Sequence, residues 1–161
     1  MSAVIREIIP EDNAVLARII RSCFEDFEVK NTCGTVYTDP TTDHLYQLFQ
    51  KERSALYVVV DNGIVYGCCG IYPTENLPKN CAELVKFYIS EEGRGKGYGR
   101  LLMEKSFNRA KEFGYTSIYL ESLPEFGKAV SIYEKLGFTK LEKPKGKSGH
   151  SGCSIWMIKE I

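Results

Sequence analysis

"SEEGRGKGYGRLLMEK", residues 90–105, is the stretch on which the reading of this sequence turns. Gly93, Gly95, Gly97 and Gly99 occupy every second position, with Arg94, Lys96 and Arg100 threaded among them, and a helical pattern follows at once. Alternate glycines cost backbone entropy, so a simple turn rarely needs four. Bare amides beside positive side chains point to a phosphate. The nucleoside triphosphate loop G-x-x-x-x-G-K-[ST] is absent. The dinucleotide fingerprint G-x-G-x-x-G fails too, because Gly95-x-Gly97 is followed by Arg100 and Gly93-x-Gly95 by Tyr98. What stands here is R-x-x-G-x-G, formed by Arg94, Gly97 and Gly99 between a strand-like segment and a helix. The unpaired amides and partial positive charge of a helix N-terminus suit a pyrophosphate. Arg94, Lys96 and Arg100 would add charge-assisted donors. The alternative is a flexible basic turn with no ligand.

Upstream, "CAELVKFYIS" alternates as a strand, and Gly97 to Phe113 reads as a helix with Met103, Phe107 and Ala110 on its apolar face and Gly114 as its stop. Asp61-Asn62-Gly63 is the strongest hairpin signal, joining "ALYVVVD" to "IVYGCCGIY". Val4 to Ile8 reads as a first strand, and Pro10-Glu11-Asp12 opens a helix carrying Val15, Leu16, Ile19, Ile20 and Phe24. A polar loop over 28–43 precedes a short helix from Asp43 to Gln50. After the glycine stretch come a strand, "TSIYLES", and a helix with Ala129, Ile132, Tyr133 and Leu136 on one stripe, stopped by Gly137. Late strands "FTKLEK" and "SIWMIKE" flank the polar loop "PKGKSGHSG". The order is β-α-α-β-β-β-α-β-α-β-β: a mixed α/β (α+β) chain with an antiparallel, hairpin-built half and one β-α-β crossover.

Length and composition fit this. The 161 residues, 43% hydrophobic and 26% charged, favour one soluble domain over residues 1–161. Zero formal charge gives no global field for nucleic acid or an anionic membrane. The first residues lack an apolar signal core, and no run approaches a membrane span, so a cytoplasmic protein is expected. The six cysteines form no C-x-x-C pair, and His44 and His150 have no ligand-like spacing, so no metal site is expected. Cys68 and Cys69 read as small core hydrophobes.

The run "AELVKFYISEEGRGKGYGRLLMEKSFNRAKEFG" resembles the central motif of the GNAT superfamily of N-acetyltransferases, and "AVSIYEKLGF" resembles that family's next motif, in the right order and with a strand between. The resemblance implies a GNAT-like fold, with a mixed, mostly antiparallel sheet whose fourth and fifth strands splay apart around acetyl-coenzyme A. It implies that the pyrophosphate falls to the amides of Arg94, Gly95, Lys96, Gly97, Tyr98, Gly99 and Arg100. The pantetheine would pair along the backbone of Phe87, Tyr88 and Ile89, as an extended peptide pairs with a strand edge. Many members carry an asparagine after the following strand; this chain has "LPEFGK" there, which leaves that contact without its usual residue.

Acetyl transfer to an amine needs a base for the amine proton, a donor aimed at the oxyanion, and an acid for the departing thiolate. A backbone N–H in a locally irregular strand would serve the oxyanion. Tyr133 matches the family tyrosine that commonly acts as the acid; a core tyrosine with a satisfied hydroxyl would look the same. Glu83 is the first candidate base: strict alternation sets it on one face with Val85, Phe87 and Ile89, where burial would raise its pKa. Glu121 is the second candidate. Either could instead be a solvated strand-end charge, and a water chain could replace both. His150 is expected to be an exposed loop histidine. Acceptor residues should come from loops 28–43, 72–81 and 144–152. The expected activity is direct acetyl transfer in a ternary complex, from acetyl-CoA to a primary amine on a small molecule or a protein, by a monomer or homodimer that binds no nucleic acid or membrane. The alternative function is a non-catalytic acyl-CoA sensor.

Overall fold

Asn62 and Gly63 adopt positive φ values of 52° and 77°, the geometry of the two-residue turn expected from Asp61-Asn62-Gly63. That turn joins β2 (Ala55–Asp61) to β3 (Ile64–Tyr72), the centre of the sheet. The structure, a computed structural model, describes residues 3–29 and 34–161. Cys33 and part of the loop 28–43 therefore lie outside the described residues.

Around the hairpin stand β1 (Val4–Glu7), α1 (Asn13–Asp26), α2 (Leu45–Leu48), β4 (Cys81–Ile89), α3 (Tyr98–Glu112), β5 (Ser117–Ser122), α4 (Gly127–Lys135), β6 (Thr139–Leu141) and β7 (Ile155–Glu160). This is the element order expected from the sequence. The sheet runs β1-β2-β3-β4-β5-β7-β6, and every pairing is antiparallel except β4 with β5. α2 is shorter than expected: Pro40–Asp43 form a 3-10 turn instead, with Asp39 accepting a hydrogen bond from the Thr41 amide.

The sheet buries both faces. On one, Leu102, Met103 and Ala110 of α3 pack with Val59, Leu84 and Leu120. On the other, Leu16, Ile20 and Phe24 of α1 pack with Leu56, Val58 and Cys68. Apolar burial of this kind supplies about 25 cal/mol per Å². α1 is entered through Asp12, whose carboxylate accepts the Ile9 amide at 2.9 Å and the two terminal Arg6 guanidinium nitrogens at 2.8 and 3.1 Å. Cys68 and Cys69 are fully buried in the sheet. No helix among the described residues is long and apolar enough to cross a membrane.

Candidate active site

β4 and β5 pair in parallel only through Cys81–Ser117, Ala82–Ile118 and Glu83–Tyr119, and then part. A cleft of about 840 Å³ opens between them. Its lining brings together Phe87, Tyr88 and Ile89 of β4, Gly95, Gly97 and Gly99 before and within α3, Glu121 at the end of β5, and Tyr133 of α4.

A bulge disrupts β4 beside the cleft. Cys68 pairs with Tyr88, but Gly70 pairs with Val85, so Lys86 and Phe87 together oppose Cys69 alone. Lys86 carries the extra turn with φ of 56°, and the Cys68 thiol donates to its carbonyl at 3.0 Å. The bulge corrects the strict alternation expected for this strand. Ala82, Leu84, Phe87 and Ile89 pack on the α3 side, whereas Val85 and Tyr88 pack on the α1 side. Glu83 therefore shares a face with Val85 but not with Phe87 or Ile89, because the inserted residue resets the period.

At the glycine-rich end of the cleft, Gly97 caps α3 with φ of 81°, and a side chain added at Gly95 or Gly97 would meet nothing within 4 Å. Left-handed backbone and open space leave the first amides of a 15-residue helix accessible. The basic side chains behave less uniformly than the motif suggested. The Arg94 guanidinium bonds Asp26 at 3.0 Å and the Ile89 carbonyl at 3.2 Å, over the Phe27 ring. Arg100 pairs with Glu104, and the Lys96 ammonium lies over the Tyr66 ring. The Tyr98 hydroxyl donates to Asp61 at 2.7 Å, so its side chain anchors the helix.

Tyr133 is 6% exposed, packed against Phe87 and Phe138, and lines the cleft. Its hydroxyl has no hydrogen-bond partner among the described residues, unlike a satisfied core tyrosine, and burial pushes its pKa far above the usual phenol value. The α4 stripe is rotated from expectation. Val130 is buried with Tyr133, while Ile132 and Leu136 are 44% and 38% exposed and line the cleft.

Glu83 is buried at the apex where the strands part. The Thr74 hydroxyl donates to its Oε1 at 2.6 Å. Burial pushes its carboxyl up to about 7, with Thr74 and Lys86 opposing and the Glu121 charge adding to the rise. Glu83 does not itself line the cleft; Glu121 does, with both oxygens engaged, one accepting from Tyr119 at 2.7 Å and the other from Ser148 at 2.5 Å.

Three loops close this end. Gly152 donates to the Gly34 carbonyl at 2.9 Å, the Lys147 amide to the Glu75 carbonyl at 2.6 Å, and His150 Nε2 meets Asp39 Oδ2 at 2.8 Å. The expectation of an exposed His150 is overturned, since its side chain is 12% exposed. Burial works upward on Asp39, but the hydrogen bonds from His150 and Thr41 outweigh it and hold the carboxyl at about 2. Asp39 is thus ionised, and the imidazole donates to it. Burial and the Lys86 charge lower the pKa of His150. Burial pushes the Cys153 thiol up to about 12, which leaves it un-ionised at neutral pH.

Sequence reasoning missed Lys86, which looks like any strand lysine until the bulge turns it inward. It also missed Phe126, which occupies the segment without the family asparagine and packs edge-on against Phe24 and Phe27 at 5.2 and 5.5 Å.

Comparisons with known proteins agree with this architecture. Residues 16–138 match the sequence profile of the acetyltransferase (GNAT) family. The uncharacterized N-acetyltransferase YjgM of Escherichia coli is 32% identical over 160 residues, covering 99% of this chain and 96% of its own length. The fold superposes on a GNAT-family acetyltransferase from Staphylococcus aureus Mu50 with a TM-score of 0.86 at 18% identity, covering 99% of both chains. It also superposes on the PaiA N-acetyltransferase of Thermoplasma acidophilum, solved with coenzyme A, with a TM-score of 0.77 at 18% identity and full coverage of both.

Proposed function

The chain belongs to the acetyltransferase (GNAT) family, and on that premise we propose that it transfers the acetyl group of acetyl-CoA directly to a primary amine within the cleft between β4 and β5. The observation that carries the proposal is the convergence, at one split in the sheet, of an open helix N-terminus, a bulged strand and a tyrosine hydroxyl with no partner among the described residues.

The amides of residues 94–99 and the N-terminus of α3 receive the pyrophosphate. Gly95 and Gly97 keep side chains out of its way. Because the Arg94 guanidinium is committed to Asp26, the amides and the helix end do more of this work than Arg94 itself. The backbone of Phe87, Tyr88 and Ile89, freed from β5 by the splay, pairs with the pantetheine amides. Ile132 and Leu136 supply the apolar wall opposite, which accounts for their exposure.

The irregular backbone at Lys86–Phe87 offers an N–H to the oxyanion that forms when the amine attacks the thioester carbonyl. Glu83, half ionised near neutral pH, takes the amine proton through an intervening water, since it sits behind the cleft wall. Glu121, fixed by Tyr119 and Ser148, orients the amine. As the C–N bond forms and the C–S bond breaks, the Tyr133 hydroxyl, protonated at neutral pH, gives its proton to the thiolate.

Thiol release from acetyl-CoA against a mixed primary-amine panel tests this reading. Amine-dependent release is the expected result. Tight coenzyme A binding with no release for any amine would instead support a non-catalytic sensor.

A further inference from the structure

Lys86 is 6% exposed, yet among the described residues its ammonium makes no hydrogen bond and no ion pair. Burying an ammonium without a partner is costly, and proteins normally avoid it by pairing. Neither acid whose charge acts on Lys86 makes contact with it: Asp39 accepts from His150 through Oδ2 and from Thr41 through Oδ1, and Glu83 accepts from Thr74 through Oε1. Nor is the ammonium sealed in. The one buried side-chain nitrogen or oxygen without a partner among the described residues is Asp61 Oδ1, and Lys86 lines the cleft, so its nitrogen keeps access to that space. The strained backbone at Lys86, with φ of 56°, is what turns this side chain toward the cleft end.

Building on the acetyltransferase reading above, we propose that the amine acceptor carries a carboxylate, as an amino acid does, and that Lys86 receives it. An anionic group would give the buried ammonium the partner the protein withholds. Lys86 and the candidate base Glu83 stand three residues apart on β4, so the carboxylate-receiving and amine-activating groups belong to one strand. A polyamine is disfavoured, because it would bring further positive charge to Lys86.

The test compares matched acceptors on the wild-type protein: free L-amino acids, their carboxamides, their decarboxylated amines, and spermidine. Thiol release from acetyl-CoA gives kcat/KM for each. A hydrogen-bonded charge pair corresponds to about 10- to 100-fold. The amino acids should therefore exceed their carboxamides and decarboxylated amines by at least about tenfold. Lys86→Met should erase that ratio, mainly by raising the KM for the amino acid, with the KM for acetyl-CoA unchanged. Lys86→Arg should retain much of it. A merely structural lysine would change all acceptors alike and leave the ratio intact. If wild-type protein acetylates carboxamides, decarboxylated amines or spermidine as well as amino acids, the inference fails and the acetyltransferase reading survives. If no acceptor of any kind supports release, both fail. The wild-type comparison stands even if Lys86→Met does not fold.

Discussion

Replacing Glu83 by glutamine removes one ionisation and keeps the side chain's size. On folding, the carboxyl rises from 4.5 to about 7 because it is buried, with the Thr74 hydrogen bond opposing. At about 1.36 kcal/mol per pH unit, that rise amounts to roughly 3 kcal/mol. The folded state holds this proton more tightly than the unfolded chain, so its contribution is complete below pH ~4.5 and is lost as pH rises to about 7. The glutamine variant has no such loss. Its stability relative to wild type should therefore increase by about 3 kcal/mol between pH 4.5 and 8, measured by urea unfolding without acetyl-CoA. The same ionisation should shape catalysis. With one acceptor throughout, wild-type kcat/KM should rise with pH through about 7, while Glu83→Gln loses that limb and about 100- to 10,000-fold in rate. A stability difference flat with pH, together with an unchanged acid limb, would show that Glu83 neither binds its proton more tightly on folding nor acts as the base. If Glu121→Gln abolishes the limb and Glu83→Gln spares it, the base is Glu121.

Gly97→Glu places a negative side chain in the open space before α3 and should weaken coenzyme A binding at least about tenfold by calorimetry on folded protein; unchanged affinity would remove the pyrophosphate from residues 94–99. Tyr133→Phe keeps the ring packed against Phe87 and Phe138 and should lower kcat about 100- to 10,000-fold with coenzyme A affinity retained. An unaltered rate where chemistry limits turnover would make Tyr133 a packing residue. Asp39→Asn removes a carboxyl held at about 2, whose contribution is present above pH ~3.8 and lost as pH falls toward 2. The variant should be about 2 kcal/mol less stable at pH 7, with the gap narrowing in acid; a gap independent of pH would contradict the assignment.

The elements most legible in the sequence were those fixed by local chemistry. Asn62-Gly63 declared a turn because both residues tolerate positive φ, and Gly114 and Gly137 ended their helices as expected. The glycine stretch fell between strand and helix for the same reason. The bulge in β4 was not legible. "CAELVKFYI" reads as one unbroken strand, and only pairing with β3, whose Gly70 sits opposite Val85, reveals the added residue. Losing the bulge meant misplacing Phe87 and Ile89 relative to Glu83 and overlooking Lys86. Ile132 and Leu136 misled in a different way, because a helix face that lines a cleft has the composition of one that lines a core. The contact between Asp39 and His150 spans 111 positions, a separation that no local pattern encodes.

A crystal structure with acetyl-CoA bound decides most directly whether the gap between β4 and β5 is the acetyl-transfer site. The pyrophosphate is expected on the amides of residues 94–99, the pantetheine paired along Phe87–Ile89 in that gap, and the thioester sulfur within hydrogen-bond reach of the Tyr133 hydroxyl. Acetyl-CoA bound outside that gap, or with its thioester turned away from Tyr133 and the Lys86 bulge, would contradict this placement.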